Sequence, residues 1–306
     1  MTTGSKAGSV ALVGRPNAGK STLMNHLLGE KVAIVSDKPQ TTRYRLVGIL
    51  SDSRGQMVFH DTPGMHKPLH QMNRQMVRYA VEALNAADVS CLLIDSTQRY
   101  GSGDEYLLDL LSKARGLKVA VLNKIDRVDK PRLLPLMERY GAAGFLEEIV
   151  PISALHGDGC DMLLDVLWKS LPEGEPIYDQ ELFTLHPERF LVAELIREKV
   201  LLETRDELPY TTTVLIDHWE EATEGDLTRL HASILVERPG QKAILIGRGG
   251  TTIKKLGTAA RLEIESFLGR RVYLDLRVKL EPRWRDNRKL LANMDRELWS
   301  GETESG

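Results

Sequence analysis

The sequence predicts an α/β domain built on a mostly parallel sheet with helices on both faces, followed by a small α+β domain. Three observations carry that reading. From residue 9 to about 170, short apolar stretches alternate with helical ones, and several, such as "VSCLLID" (89–95), are predominantly apolar without alternation, as strands covered on both faces are. "LPEGEPIYDQE" (171–181) then breaks the pattern with two prolines, a glycine and four acidic residues. Beyond it the order of elements changes to α-β-β-α-α-β. The expected limits are 1–172 for the first domain, 173–184 for a linker and 185–306 for the second domain with a helical extension.

In the first domain, "SVALVG" (9–14) reads as a strand running into a glycine loop. "STLMNHLLG" (21–29) has helical spacing and stops on glycine. "RLVGIL" and "QMVFHD" read as a strand pair, and "NRQMVRYAVEALNAAD" (73–88) as an amphipathic helix. Strand "VSCLLID", helix 103–115, strand "KVAVLNK", helix 131–140, strand "EIVPIS" and helix 159–170 follow. In the second domain Pro187 opens a helix running to about Glu203. "TTTVLIDHWE" and "LTRLHASILVER" are strands joined by "EATEG". A short helix (240–246), "GRGG", a longer helix (251–267), a strand (271–280) and a last helix (about 284–298) complete the chain.

With 42% hydrophobic and 27% charged residues, the 306-residue chain has an ordinary globular composition. No run of 18 apolar residues exists, so no transmembrane helix is expected, and "MTTGSKAGSV" lacks the apolar core of an export signal. A cytoplasmic monomer without a disulfide between Cys91 and Cys160 is the expectation. The net charge of −2 hides a segregation. Residues 181–237 carry 5 basic and 13 acidic side chains, whereas residues 238–289 carry 14 and 5. The basic surplus suggests an anionic partner; pairing with the acidic segment just before it is the alternative.

"GRPNAGKS" (14–21) matches G-x-x-x-x-G-K-[ST]. In such a loop the backbone of Gly14, Arg15, Pro16, Asn17, Ala18 and Gly19 wraps phosphate oxygens, and Lys20 reaches the β- and γ-phosphates. Ser21 offers its hydroxyl to Mg²⁺, and the helix that it opens with Thr22 adds positive potential. "NKID" (123–126) chooses the base. Asp126 accepts from guanine N1–H and the 2-amino group, which adenine cannot match, while Asn123 and Lys124 brace the loop and cover the base plane. "ISAL" (152–155) brings Ser153, Ala154 and Leu155 to the base, with the Ala154 N–H aimed at guanine O6. In "DTPG" (61–64), Asp61 holds Mg²⁺ through water, Thr62 and Pro63 form the turn, and the Gly64 N–H touches the γ-phosphate. "SDKPQTTRYR" (36–45) is a polar loop able to close over that phosphate, with Thr42 as the threonine that completes the Mg²⁺ shell and Thr41 as the alternative. A nucleotide kinase or ATPase would not need NKID.

After DTPG, Met65 stands where many such proteins carry a glutamine that aims the attacking water. G-x-P-N-x-G-K-S resembles a subset of GTPases with an apolar residue there. In that subset the loop asparagine, here Asn17, helps bind K⁺ beside the phosphates, which neutralises charge in the transition state. His60 and His66 are alternatives for orienting water. Lys20, Asn17, Thr42, Asp61 and Gly64 are thus the residues expected to act on the reaction, and slow turnover is expected, as suits a timer.

"ILIGRGGTTIKKLG" (244–257) resembles the K-homology (KH) signature through Ile246, Gly247, Arg248, Gly249, Gly250 and Ile253. Lys254 and Lys255 follow directly. Such a loop lets a nucleic-acid backbone pass close by, with apolar side chains bedding unstacked bases. In "EPRWRDNRK" (281–289), Trp284 between Arg283 and Arg285 is a candidate to stack on a base, or else to pack in its own domain. An alternative for the whole domain is a KH-like scaffold for protein or membrane contacts under GTP control.

Together "GRPNAGKST", "PQTTR", "DTPGMHKP", "NKID", "SAL" and "GRGGTTIKKLG" resemble the Era family of bacterial ribosome-assembly GTPases, from about residue 9 to about 298. The resemblance implies a P-loop GTPase domain followed by a type II KH domain, bound GTP or GDP with Mg²⁺, and slow GTP hydrolysis. It further implies binding near the 3′ end of 16S rRNA during small ribosomal subunit assembly, and partial association with the inner membrane face.

Overall fold

The computed structural model describes residues 4–38, 40–64, 71–204, 207–221 and 226–300. The chain forms two compact units that divide between Leu185 and His186, with Ser36–Thr41 counted in the second.

The first unit contains β1 (Lys6–Gly14), α1 (Lys20–Leu28), β2 (Leu46–Asp52), β3 (Gly55–Asp61), α2 (Gln71–Ala86), β4 (Val89–Asp95), α3 (Ser102–Lys113), β5 (Leu117–Asn123), α4 (Leu133–Gly141), β6 (Glu148–Pro151) and α5 (Cys160–Ser170). Its six strands lie in the order β2-β3-β1-β4-β5-β6. Only β2 and β3 are antiparallel. Two residues separate them, too few for a crossover, whereas each later strand is reached through a helix. Val10, Ala11, Leu12 and Val13 of β1 and Val119 to Leu122 of β5 are fully buried, which is why these stretches read as unbroken apolar runs. Because β1, β3, β4, β5 and β6 run the same way, the loops that follow them collect on one rim of the sheet.

The expected linker belongs to this unit. The Gln56 side chain accepts from the Ile177 and Tyr178 N–H groups and donates to the Tyr178 carbonyl, each at 2.9 Å. Further on, Ile49 N donates to Phe183 O at 2.9 Å and Thr184 Oγ1 to Val47 O at 2.6 Å. The stretch thereby covers the open edge of β2, which would otherwise present unpaired backbone groups.

The second unit contains α6 (Glu188–Glu203), α7 (Leu208–Thr211), β7 (Thr213–Glu221), β8 (Leu227–Val236), α8 (Pro239–Ile246), α9 (Thr251–Leu268), β9 (Arg271–Leu280) and α10 (Arg288–Ser300). Its sheet has the order β7-β8-β9, antiparallel in the first pair and parallel in the second. Two helices intervene before β9, so it can enter parallel. Val192, Ile196, Val200, Leu230, Ile234, Leu245, Leu256 and Ile264 build the core. Two features depart from the sequence reading. Short helix α7 was absent from it, and the last helix starts at Arg288 because Trp284–Asp286 make a separate 3₁₀ turn. Most of the expected turn "EATEG", residues 222–225, lies outside the described residues. No helix among the described residues is long and apolar enough to cross a membrane.

Candidate nucleotide site and nucleic-acid surface

The rim of the first sheet gathers the loop 14–19 after β1, Asp61–Gly64 at the end of β3, Asn123–Asp126 after β5 and Ser153–Leu155 after β6. Local sequence makes these turns. Gly19 has φ 99°, and a Cβ there would lie 2.2 Å from Asn123 Nδ2, so only glycine fits. Asn123 is the brace that joins three loops. Its Nδ2 donates to Ala18 O at 2.8 Å, and its Oδ1 accepts from Lys124 N at 2.8 Å and Ala154 N at 2.9 Å. The Ala154 N–H expected at guanine O6 is therefore given to Asn123 in this structure, since a buried donor takes the nearest acceptor, and a base must share or displace that bond.

Lys20 is buried, with Nζ 3.4 Å from Gly14 O and 3.2 Å from Arg15 O. Burial lowers its pKa, against the pull of Asp61. Ser21 Oγ donates to Asp61 Oδ2 at 2.6 Å and lies 2.8 Å from Thr42 Oγ1, which is itself 3.4 Å from the same carboxylate oxygen. Thr41 instead donates its hydroxyl to Lys38 O at 2.6 Å. Of the two threonines, Thr42 is the one whose hydroxyl lies beside Asp61. Asp61 is fully buried, and its Oδ1 has no hydrogen-bond partner among the described residues. Burial pushes its pKa up to about 6 despite Lys20, Ser21 and Thr42. A buried anionic oxygen with an open lone pair, beside two hydroxyls, is a donor set of hard oxygens, which is what Mg²⁺ takes.

At the base end, Asp126 Oδ1 accepts from Ser153 Oγ at 2.6 Å, which fixes the carboxylate's orientation. Lys124, held at φ 65°, donates Nζ to Asp95 Oδ2 at 2.6 Å. Burial alone would raise the Asp95 pKa, but bonds from Lys124 and Thr97 outweigh it and hold the group ionised. The bracing roles of Ser153 and Asp95 escaped sequence reading, because both are tertiary partners of motif residues. Thr62 does not face a ligand. It is fully buried, and its hydroxyl donates to Leu12 O at 2.8 Å, tying β3 to β1. His60 precedes Asp61 on β3, so alternation turns it to the other sheet face. Burial, helped by nearby Arg45, lowers its pKa to about 4. His66 and Met65 lie outside the described residues.

In the second unit the glycine loop joins α8 to α9. Gly247 has φ 73°, and a Cβ there would meet Thr252 Oγ1 at 2.3 Å, so this position excludes a side chain. Gly249 and Gly250 also have positive φ, with open space where a Cβ would be. Ile246 and Ile253 pack partly against the core, while Arg248 and Lys254 project outward. Ile244 is exposed beside them, an apolar surface position unmarked by the glycine pattern. Among the described residues, four basic side chains of segment 238–289, namely Lys255, Arg270, Lys279 and Arg285, pair with carboxylates of the acidic segment before it, so the self-pairing alternative holds for part of the charge. Lys255 is among them, 2.6 Å from Glu203. Arg248 and Lys254 have no ion pair among the described residues.

Two candidates are corrected. Trp284 is fully buried and donates Nε1–H to Thr211 O at 2.8 Å, so the core, not a base, receives its ring. Arg285 is largely buried and pairs with Glu237 at 2.6 Å, because an arginine beside a core tryptophan must find a carboxylate. Arg283 remains exposed.

Each unit matches a known protein family over part of its length. A model described as 50S ribosome-binding GTPase matches residues 9–124, and a KH domain model matches residues 207–285. GTPase Era of Syntrophus aciditrophicus is 43% identical over 286 residues, covering 94% of each chain. The chain belongs to the Era family of GTPases. GTPase Era of Geobacter metallireducens is 42% identical over 289 residues, covering 94% of this chain and 97% of that one. Among solved structures, a variant of Aquifex aeolicus Era bound to GDP and AlF₄⁻ superposes with a TM-score of 0.91 at 38% identity, covering 97% of this chain and 100% of that one. An Era complex with MgGDPNP and nucleotides 1506–1542 of 16S ribosomal RNA gives 0.92 at 38% identity, covering 98% and 100%. As an Era-family GTPase, the chain hydrolyses GTP to GDP and phosphate. Its first unit is the GTPase domain, and its second is the KH domain.

Proposed function

We propose that this GTPase is a slow molecular switch that grips single-stranded RNA from the 3′ region of 16S rRNA during small ribosomal subunit assembly. The observation that carries the RNA half is the pair of exposed cations, Arg248 and Lys254, which make no ion pair among the described residues and flank a glycine turn whose first position, Gly247, leaves no room for a side chain. The Era complex with 16S rRNA nucleotides supports it. Replacing both cations by glutamate abolishes salt-dependent binding of a short single-stranded RNA in a filter or anisotropy assay, whereas K255E, which breaks an existing ion pair, has the smaller effect. Equal RNA binding by the doubly acidic protein overturns this half.

In the GTP half, Asp126 reads the base, with Ser153 steadying its carboxylate. The loop N–H groups hold the phosphates, and Lys20 leaves the Gly14 and Arg15 carbonyls for the β- and γ-oxygens. Ser21, Thr42 and Asp61 would hold Mg²⁺, which when bound would neutralise phosphate charge. The Gly64 N–H adds a donor at the γ-phosphate. Asn17, at φ 62° on the loop, helps hold K⁺ in place of an amide or arginine finger. Turnover is then faster in K⁺ than in Na⁺, and Asn17→Ala removes the difference. Equal rates in both salts discard the cation role. Contact with the inner membrane face rests on the family resemblance alone and is tested by flotation with anionic vesicles.

A further inference from the structure

Beside the phosphate loop lies a cavity of about 230 Å³ whose wall includes Arg15, Asn17, Tyr100, Asp104 and Tyr140. One network crosses this wall. Arg15 Nη1 lies 3.3 Å from Asp104 Oδ2, the oxygen that also accepts from Gly101 N at 2.9 Å. Tyr140, near the end of α4, is buried on the same cavity wall as Asp104. Tyr100 meets the Tyr140 ring edge-on at 5.5 Å, and the Arg139 guanidinium stacks 4.1 Å over Tyr100. A side chain at position 103 would crowd the Arg15 guanidinium, with a Cβ only 3.3 Å from Nε, so the glycine keeps a berth for it.

Arg15 thereby fastens the phosphate loop to the N-terminus of α3. The consequence falls on the loop backbone, because the Arg15 carbonyl accepts from Ala18 N at 3.3 Å and from Lys20 Nζ at 3.2 Å. A loop that binds phosphate through backbone N–H groups gains affinity when those groups are held in place beforehand. On the other flank the loop is wedged by Gly64, where a Cβ would stand 2.8 Å from Pro16 Cα. The strut on the α3 side is the adjustable one, since it is made of side chains.

We propose that Asp104 is a positioning residue for nucleotide binding, acting through Arg15 with Tyr140 as backing, and that the strut slows nucleotide release. The inference rests on the guanine-nucleotide reading of the loop. It is tested on the full chain by stopped-flow dissociation of fluorescent GDP, alongside thermal unfolding. Wild type binds the probe; D104N and R15A each release it about tenfold faster, the loss of one charge-assisted bond. The double variant is no faster than the quicker single one, and R15K, which keeps a cation within reach, restores most of the slow release. Multiplying effects, or unchanged release with only a lower unfolding temperature, would reduce Asp104 to a cap of α3 and overturn the proposal. R15A alone decides the matter if D104N fails to fold, since Arg15 is 41% exposed. A wild-type chain that does not bind guanine nucleotide removes the underlying reading itself.

Discussion

Asp126→Asn lowers affinity for GTP by about a thousandfold and raises affinity for XTP. The aspartate offers two acceptors to guanine, N1–H and the 2-amino group. Each charge-assisted bond contributes about 2 kcal/mol, so reducing one to a neutral bond and turning the other into a donor–donor clash together costs about 4 kcal/mol, or three decades of affinity. Asparagine keeps one acceptor and turns a donor toward the 2-amino group, donor against donor. Xanthine has a carbonyl at that carbon, which accepts from the same amide. Ser153 holds one oxygen of residue 126 at 2.6 Å, so the side chain is held by the protein and cannot simply rotate to evade the mismatch. Competition titration against fluorescent GDP measures both arms. Undiminished GTP affinity in the variant would show that the base is read elsewhere.

Trp284→Ala destabilises the KH unit by about 3–5 kcal/mol without a specific defect in base stacking. The ring is wholly buried and its N–H is spent on the Thr211 carbonyl, so truncation opens a cavity and orphans an acceptor. Phenylalanine retains most of the volume and loses only the bond, for about 1–2 kcal/mol. Urea unfolding followed through the KH unit checks the ranking. A variant of unchanged stability that binds RNA poorly would restore the stacking role that sequence suggested and burial denies.

Much of the nucleotide site was legible because its chemistry is local. A strand, a glycine turn and a helix within 20 residues suffice to place Lys20 and Ser21, and the same economy applies to NKID and SAL. Thr42 needed the fold. Both hydroxyls of "TT" look alike in sequence, and only packing sends one to Asp61 and the other to a carbonyl. The basic segment was harder still. Its surplus was visible in composition, but the division between Lys255, paired with Glu203, and Lys254, left outward, depends on a helix that precedes it by some 50 residues.

By itself the sequence determined most of the order of elements, the motif residues that the fold gathers on one rim of the first sheet, and the presence of a second glycine turn. These follow from periodicity, from glycine's backbone freedom and from hydrogen-bonding valence, all of which act over a few residues. Only the tertiary structure decided that 173–184 seals the edge of β2, that Trp284 belongs to the core, and that Arg15 reaches Asp104. Each joins residues far apart in the chain, and burial, edge-sealing and ion pairing are satisfied by whichever partner the packed fold brings near.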